Sequence, residues 1–247
     1  MNKNVLITMS IYDEIIYFEE KLHKARLDYA KKIGCDYIII NKSDKRFRAL
    51  IWNIFQIYDI VKNGAYEKFL YVDNDTLITP NCPNAFEVID SGLGVVHDSW
   101  NDRPGSFKKH TLEDLKVNSG VMVGCRDIIE LFNVNEFDYN KQVNWDTTET
   151  IASGELSDQL YIQRKLKESG FKYTELSELW NYQPRFNDIH KGNYVLESRL
   201  KSNISRYDAY IIHYTLLKKI IPIRDYDYLY ENKGNKILFE ELDKLIQ

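Results

Sequence analysis

The feature that most constrains the fold is a regular alternation of short apolar segments with longer segments of helical periodicity. In chain order, strands are predicted at Val5 to Met9, Asp36 to Asn41 and Phe69 to Asp73, and helices at positions 15–33 and 47–61. A glycine follows each of the two helices, at a place where glycine commonly ends a helix. Strands that alternate with helices of this length form parallel βαβ units, whose ligands bind at the carboxyl ends of the strands.

The rest of the chain predicts the same class of structure. Short buried strands are predicted at Gly92 to His97, Gly120 to Gly124 and Tyr210 to Tyr214, and helices at positions 156–166 and 237–246. No internal repeat or linker rich in proline and glycine divides the 247 residues. We therefore expect a single α/β domain with a mixed, mainly parallel sheet flanked by helices.

Composition and charge exclude several classes of protein. The chain is 44% hydrophobic and 28% charged, which is typical of a globular domain. Its net charge of -4 comes from interleaved acids and bases, so nucleic acid is not an expected partner. The apolar runs are too short for a signal peptide or a transmembrane segment, and we expect a cytoplasmic protein. Cys35, Cys82 and Cys125 fit neither a disulfide framework nor a zinc site, which favours buried thiols in a reducing compartment.

The motif Asp73-Asn74-Asp75 ends the third predicted strand. Apolar residues precede it in the sequence FLYVDNDTLI, and alternation in an extended chain aims the carboxylates of Asp73 and Asp75 in the same direction. Mg²⁺ and Mn²⁺ prefer carboxylate oxygens and bridge to the phosphates of a bound nucleotide. On its own, the motif fits a divalent metal site and equally a polar turn that leaves the core.

Together with three later segments, this motif resembles the GT-A glycosyltransferases of the glycogenin and lipopolysaccharide galactosyltransferase type, over most of the chain. The resemblance implies a GT-A fold, which is Rossmann-like. It also implies that Asp73 and Asp75 hold Mn²⁺ against the diphosphate of a UDP-sugar. Asn74, between the two aspartates, is also predicted to bind the nucleotide.

Two of the later segments concern the donor sugar. VNSGVMVG resembles the Asn-Ser/Ala-Gly-Val block of the family, which implies that Asn118 contacts the sugar beside Ser119 and Gly120. SDQLYIQ resembles the family's Asp-Gln pair, which implies that Asp158 binds sugar hydroxyls and that Gln159 lies near the anomeric carbon. On the residues alone, the first segment also fits a turn into a strand, and the second fits an acid that complements a helix dipole.

The third later segment, IIHYT, resembles the strand whose histidine is the third metal ligand, which implies that role for His213. Imidazole suits Mn²⁺ better than Mg²⁺, although a histidine after two isoleucines is more often a core residue. Lys219 matches a lysine of the family that neutralises charge on the departing diphosphate, and Lys218 is the alternative for this role. The chain departs from the family at Leu216 and Ile220-Ile221, and Tyr161 stands where some relatives have a carboxylate.

The loop after the first strand commonly meets the nucleotide in sheets of this kind. By position, Thr8 and Ser10 offer hydroxyl groups there, and Tyr12 offers a ring face for uracil. Relatives usually place a lysine or arginine on the helix before the metal strand, where this chain has Asn53 or Ile54. The nucleotide-binding residues are therefore predicted with one departure from the family pattern.

The resemblance implies a glycosyltransferase that moves a sugar from a nucleotide-sugar, by the family pattern a UDP-sugar, to a hydroxyl acceptor. Mn²⁺ is the expected cofactor, Mg²⁺ is the alternative, and retention of the anomeric configuration is expected. The acceptor is a glycan, a lipid-linked group or a protein. Within one domain of residues 1–247, we expect a nucleotide-binding half at 1–125, a donor-sugar and acceptor half at 126–224, and a C-terminal helix at 225–247.

Two other functions fit part of the pattern. Asp73-Asn74-Asp75-Thr76 also fits the opening motif of haloacid-dehalogenase-like phosphatases, in which Asp73 would be the nucleophile. That family expects the motif on its first core strand and an acidic cluster later, whereas two βα units precede it here. A catalytically inactive protein that binds nucleotide-sugars is the third possibility, because several family positions are altered.

Overall fold

The structure is a computed structural model, and it describes residues 2–11, 16–47, 50–97, 117–133, 158–183, 185–187, 195–197, 206–214 and 220–231. The chain forms two compact units, each built from separate segments of the sequence. The first unit contains Met1–Tyr12, Gly34–Asp73 and Asn84–Leu176, and the second contains Asp13–Ile33, Asn74–Pro83 and Ser177–Gln247. The division of the chain near positions 125 and 224 stays a prediction.

The described residues form ten strands and four α-helices. The strands are β1 (Asn4–Met9), β2 (Asp36–Ile40), β3 (Lys68–Asp73), β4 (Thr76–Ile78), β5 (Leu93–His97), β6 (Val117–Cys125), β7 (Tyr173–Glu175), β8 (Arg185–Asn187), β9 (Val195–Glu197) and β10 (Ile211–His213). The helices are α1 (Ile16–Ile33), α2 (Ile57–Asn63), α3 (Asp158–Ser169) and α4 (Ile220–Glu231). Short 3-10 helices cover Leu50–Gln56, Ala85–Glu87, Arg126–Phe132, Glu178–Trp180 and Arg206–Asp208.

The first unit contains a six-stranded sheet in the order β2-β1-β3-β6-β5-β7. β1 pairs in parallel with β2 and β3, and β5 pairs in parallel with β7. β6 runs antiparallel to both of its neighbours, β3 and β5. The predicted fold class, a mixed and mainly parallel sheet with flanking helices, is confirmed. Because β1, β2 and β3 are parallel, their carboxyl ends lie at one edge of the sheet, and Asp73 is the last residue of β3.

Apolar side chains from one face of this sheet pack with α2 and α3 in the core of the first unit. The core includes Val5, Ile7, Phe69, Tyr71, Leu93 and Met122 from the strands, and Ile57, Val61, Ile162 and Leu166 from the helices. Trp52 stacks on Phe55 with ring centroids 5.1 Å apart, and Tyr161 meets both rings edge-on. Packing against these rings therefore accounts for an aromatic side chain at position 161.

The second predicted helix, over 47–61, differs in part from the structure. Leu50–Gln56 is a 3-10 helix, and α-helical geometry begins at Ile57. Asn53 is fully buried in this segment, and its amide oxygen accepts hydrogen bonds from the Asp44 N–H at 2.7 Å and from Gln56 Nε2 at 2.9 Å. These contacts attach the 3-10 helix to the loop after β2. The periodicity of apolar residues in the sequence does not predict them.

The second unit contains α1, β4, β10 and α4, with the antiparallel pair β8 and β9. β4 pairs antiparallel with β10, so that Thr76 lies opposite His213. The core of this unit contains Leu22, Ala25, Leu77, Tyr182, Ala209, Ile212, Tyr214 and Tyr226. Gly34, at the end of α1, has a φ of 67°, the left-handed conformation predicted for it.

The C-terminal helix predicted at 225–247 overlaps α4 at 225–231, although α4 begins earlier, at Ile220, and the predicted helix at 237–246 lies outside the described residues. Asp225, on α4, is fully buried and accepts hydrogen bonds from the hydroxyls of Tyr214 at 2.8 Å and Tyr207 at 3.3 Å. These bonds attach α4 to β10. Among the helices in the described ranges, none combines the length and the apolar character needed to cross a membrane.

Cys35, Cys82 and Cys125 are free and buried, as predicted. Burial raises the pKa of Cys35 to about 11 and that of Cys82 to about 12, and it also raises the pKa of Cys125. The three thiols are therefore protonated at neutral pH, and protonated thiols are poor nucleophiles.

Candidate metal centre

Asp73 and Asp75 lie on either side of the turn that connects β3 with β4. Asp73 ends β3, where its Oδ1 accepts a hydrogen bond from the Tyr71 hydroxyl at 2.8 Å. Asn74 and Asp75 form the turn, and β4 begins at Thr76. The extended backbone predicted for the motif is therefore replaced by a turn, and the turn rather than strand alternation sets the directions of the two carboxylates.

Hydrogen bonds from α1 and from the residue after β10 hold the backbone of this turn. Arg26, on α1, is 2% exposed, and its Nη2 donates hydrogen bonds to the carbonyl oxygens of Asn74 and Thr76. The carbonyl oxygen of Asp75 accepts a hydrogen bond of 3.0 Å from the N–H of Tyr214, just after β10. The carbonyl groups of Asn74, Asp75 and Thr76 therefore each accept a hydrogen bond.

His213 is brought to Asp75 by the pairing of β10 with β4. Its Nε2 lies 3.2 Å from Asp75 Oδ1, and its Nδ1 lies 3.0 Å from Asn181 Oδ1. His213 and Asn181 are both buried. With the ring hydrogen on Nδ1, the imidazole donates to Asn181 and directs the Nε2 lone pair at Asp75. Two lone pairs at that distance repel one another unless a proton or a metal ion lies between them.

The ionisation of Asp75 follows from its neighbours. Burial by itself raises the pKa of its carboxyl group, but a protonated His213 imidazole, a backbone N–H and the Arg26 guanidinium together hold the pKa below its ordinary value. Asp75 is therefore a carboxylate at neutral pH, which is the form that binds a cation.

One ligand atom each from Asp73, Asp75 and His213 lies within 4.8 Å of the other two. Two ligands at right angles, each about 2.2 Å from a cation, are about 3.1 Å apart, which is close to the 3.2 Å between His213 Nε2 and Asp75 Oδ1. Two carboxylate oxygens and one imidazole nitrogen suit a divalent cation, and three protein ligands leave coordination positions for other oxygens. The residues present therefore fit a divalent metal ion, and they are the three that the sequence predicts as ligands.

The predicted sugar-binding block Asn118-Ser119-Gly120 lies within β6, not in a turn before it. The register between β5 and β6 shifts here, since Val95 pairs with Met122 whereas Val96 pairs with Asn118. The Asn118 side chain accepts a hydrogen bond of 3.0 Å from the N–H of Gly120. The block therefore forms a bulge, a feature that re-aims side chains at the edge of a site.

Asp158 and Gln159 begin α3 and meet this bulge within the first unit. Gln159 Oε1 accepts a hydrogen bond of 3.3 Å from the Ser119 N–H. Burial of the carboxyl group and, to a lesser degree, the Asp73 carboxylate raise the pKa of Asp158 to about 6, against the opposing effect of a hydrogen bond from the Ser119 side chain. Four residues singled out from the sequence, Asp73, Ser119, Asp158 and Gln159, are therefore brought together.

The predicted nucleotide-binding residues of the first strand have different surroundings. Thr8 is buried, and its hydroxyl donates a hydrogen bond of 2.8 Å to the Val72 carbonyl of β3. Ser10 follows β1 at the carboxyl edge, where its N–H donates to the Ile40 carbonyl. Tyr12 and Lys219 lie outside the described residues. The nucleotide role of all four stays a prediction.

Neither Arg26 nor Asn181 was predicted as a residue of the site. A signal for Arg26 was present, because it falls on the buried stripe of α1 with Leu22, Ala25 and Tyr29. A charge in an apolar stripe indicates a buried cation with dedicated hydrogen-bond acceptors. For Asn181, the signal is one polar residue between Trp180 and Tyr182, both of which are buried.

No protein-family model matches the chain, and no curated protein matches its sequence significantly. A crystal structure of a glycosyltransferase involved in the glycosylation of the major capsid of PBCV-1 superposes with a TM-score of 0.54 and 13% identity, over 91% of this chain and 98% of that one. The chain shares its fold with a solved glycosyltransferase. At this identity, the likeness establishes the fold and not the reaction.

Two further structures are similar at lower scores. The glycosyltransferase GlyE of Streptococcus pneumoniae TIGR4 has a TM-score of 0.49 and 14% identity, over 100% of this chain and 64% of that one. Mouse xyloside xylosyltransferase 1 has a TM-score of 0.48 and 12% identity, over 87% of this chain and 98% of that one.

Proposed function

We propose that the protein is a glycosyltransferase that moves a sugar from a nucleotide-sugar to a hydroxyl group of an acceptor. The observation that carries the proposal is the convergence of Asp73, Asp75 and His213 after β3. Their donor set suits a divalent cation, and the chain shares its fold with a solved glycosyltransferase. Because a fold hosts many reactions, the proposal depends on the site more than on the fold.

The role of the three ligands is to hold a cation where a diphosphate leaves. A bound divalent cation stabilises the negative charge that develops on the leaving phosphate oxygen. We take Mn²⁺ as the cofactor because one of the ligands is an imidazole nitrogen, with Mg²⁺ as the second choice. The donor is a UDP-sugar. The two carboxylates fix the cation, and Asn181 fixes the imidazole that completes the protein ligand set.

The donor sugar is assigned to the bulge of β6 and the start of α3. Asp158 supplies a carboxylate that accepts hydrogen bonds from sugar hydroxyls, and the Gln159 side chain is oriented by the Ser119 N–H. The bulge allows the side chain of Asn118 and the backbone of Gly120 to approach the sugar closely. Groups held in this way lose little freedom when the donor binds.

The proposed reaction retains the anomeric configuration, by attack on the same face of the sugar as the leaving group. Tyr161, which some relatives replace by a carboxylate, packs against Trp52 and Phe55, so it supplies no carboxylate nucleophile. Lys219 is the proposed countercharge for the departing UDP. NMR of the first-formed product tests the stereochemistry, and an inverted anomeric centre contradicts it.

We also propose a domain organisation, an acceptor and a cellular location for the reaction. One catalytic domain spans residues 1–247, with the nucleotide-binding half at 1–125, the donor-sugar and acceptor half at 126–224, and the C-terminal helix at 225–247. The acceptor is a hydroxyl group of a glycan, a lipid-linked group or a protein, and the reaction takes place in the cytoplasm.

The first test is a thermal-shift panel of UDP, GDP and CDP with and without Mn²⁺, followed by the sugar donors of the nucleotide that binds. A ligand that binds the native state raises the melting temperature by mass action. We expect a shift with UDP that depends on Mn²⁺, and loss of that shift in Asp75→Asn. The matched control is Asp28→Asn, an exposed carboxylate paired with Lys24 on α1.

Hydrolysis of the donor then separates the proposal from its two rivals. Slow release of free sugar from a UDP-sugar with Mn²⁺ supports a transferase. Phosphatase activity that disappears in Asp73→Asn, with no binding of UDP, instead identifies Asp73 as the nucleophile of a phosphatase. Binding of UDP-sugars with no turnover of any donor identifies an inactive binding protein.

A further inference from the structure

Arg26 is a buried cation whose hydrogen bonds go to the turn that contains Asp75. It is 2% exposed, and one guanidinium nitrogen donates to the carbonyl oxygens of Asn74 and Thr76. Removing a guanidinium from water costs much free energy unless its hydrogens find acceptors. Arg26 is therefore a buried cation whose acceptors are the carbonyl groups of the two residues on either side of Asp75.

These contacts leave the turn little freedom. Since the Asp75 carbonyl accepts from the Tyr214 N–H, the carbonyl groups of residues 74, 75 and 76 are all fixed. The fixed peptide planes set the backbone angles at Asp75 and thus the direction of its Cα–Cβ bond. The Asp75 carboxylate reaches His213 along that direction.

We propose that Arg26 is the positioning residue of the metal centre, holding the Asp75 turn so that the carboxylate faces His213 before any cation arrives. This inference rests on the proposed function, because it takes a divalent cation as the ligand of Asp75. A site held in advance binds more tightly, since the free energy of binding is not spent on ordering the turn.

The sign of the effect separates positioning from simple electrostatics. The Arg26 guanidinium is positive and repels a divalent cation, so Coulomb's law alone predicts tighter metal binding when the charge is removed. Positioning predicts weaker metal binding, because an Asp75 carboxylate of variable orientation is less often placed to bind the cation. Arg26→Lys keeps the charge but shortens the donor group, so it tests the geometry at constant charge.

Lys32 provides a matched control on the same helix. Its Nζ donates hydrogen bonds of 2.9 Å to the carbonyl oxygens of Pro80 and Cys82, two peptide groups of the same connecting segment. Neither of these peptide groups flanks Asp75. Lys32→Met therefore removes two hydrogen bonds between α1 and this segment without releasing the turn.

The experiment compares the full-length wild type with Arg26→Met, Arg26→Lys and Lys32→Met. Mn²⁺ alone, and Mn²⁺ with UDP, is titrated into each protein, and free Mn²⁺ is followed by its electron paramagnetic resonance signal. Thermal denaturation reports the stability of each variant. We expect Arg26→Met to weaken Mn²⁺ binding by about 10–100-fold, Arg26→Lys to weaken it less, and Lys32→Met to bind like the wild type.

Three outcomes overturn the positioning role while the wild type binds Mn²⁺. They are Arg26→Met with wild-type or tighter affinity, Lys32→Met with an equal loss of affinity, and failure of both Arg26 variants to fold, which makes Arg26 a residue of the fold alone. A wild-type protein that binds no Mn²⁺, with or without UDP, overturns the proposed function and this inference together.

Discussion

The Nδ1 atom of His213 lies 3.0 Å from the side-chain oxygen of Asn181, and both residues are buried. The amide oxygen fixes the ring hydrogen on Nδ1, so the second nitrogen presents its lone pair to Asp75 at 3.2 Å. Histidines that bind metals commonly need such a partner on the other ring nitrogen.

Asn181→Leu should weaken Mn²⁺ binding by about 10-fold or more, because the imidazole loses the acceptor that fixes its tautomer and orientation. Asn181→Asp keeps an oxygen in place and should bind Mn²⁺ far better than the leucine variant. Titration calorimetry with Mn²⁺ measures both affinities. Equal affinity of wild type and Asn181→Leu, with both proteins folded, would show that the hydrogen bond does not serve the metal site.

Removal of divalent cations with a chelator should abolish turnover of the donor and leave the protein folded. The reason is that the divalent cation supplies most of the positive charge proposed to stabilise the leaving diphosphate, and the single charge of Lys219 does not replace it. Activity should return with Mn²⁺ and more weakly with Mg²⁺, because His213 contributes a nitrogen ligand. Donor hydrolysis before and after dialysis checks this expectation, and full activity in the chelated protein contradicts it.

Asp158→Asn should lower turnover by at least 100-fold while leaving the affinity for UDP nearly unchanged. Asp158 is assigned to the sugar and not to the nucleotide, so the two readouts should separate. Thermal shifts with UDP and with the intact UDP-sugar measure binding, and hydrolysis measures turnover. A matching loss of UDP affinity would move Asp158 from the sugar site to the nucleotide site.

Tyr214→Phe should destabilise the protein by about 1–3 kcal/mol, because it leaves a buried side-chain oxygen without this hydrogen bond. The Tyr214 hydroxyl donates to Asp225, whose side chain is fully buried on α4. Urea denaturation measures the change in the free energy of unfolding. Tyr173→Phe, at a side chain that is 45% exposed, is the control and should be neutral within about 0.5 kcal/mol.

Arg46→Met should cost about 1 kcal/mol or less at neutral pH, because the ion pair with Asp44 is partly exposed. A hydrogen bond from Arg46 lowers the pKa of Asp44 below its ordinary value. A lowered folded-state pKa stabilises the protein above the unfolded pKa of about 4, and this stabilisation is lost as the pH falls through the folded-state pKa. The difference between wild type and variant should therefore shrink below about pH 4, as measured by denaturation at several pH values.

The parts of the fold that follow from the sequence are those that local patterns determine. β1, β2, β3 and α1 match their predicted ranges because apolar periodicity and the glycine after α1 act over a few residues. The place of Asp73 at a sheet edge follows from the same reasoning. Antiparallel β6 and the 3-10 helix Leu50–Gln56 do not follow, because both depend on contacts with distant segments.

The candidate site also has parts that local sequence patterns predict and parts that they do not. The pairing of Asp75 with His213 depends on β4 and β10, which are far apart in the sequence, and only the family resemblance suggested it. No local pattern shows that Arg26 reaches the carbonyl groups of Asn74 and Thr76. A helix periodicity identifies the buried face of α1, but it does not say which backbone lies against that face.

The buried, protonated thiols of Cys35, Cys82 and Cys125 also make the protein convenient for spectroscopy. Thiol reagents react with exposed thiolates, so the native cysteines should label slowly in the folded protein. An exposed position such as Glu168, substituted as Glu168→Cys, should accept a nitroxide label without prior removal of the native thiols. The magnetic interaction between that label and bound Mn²⁺ would then locate the metal ion from a fixed point on α3.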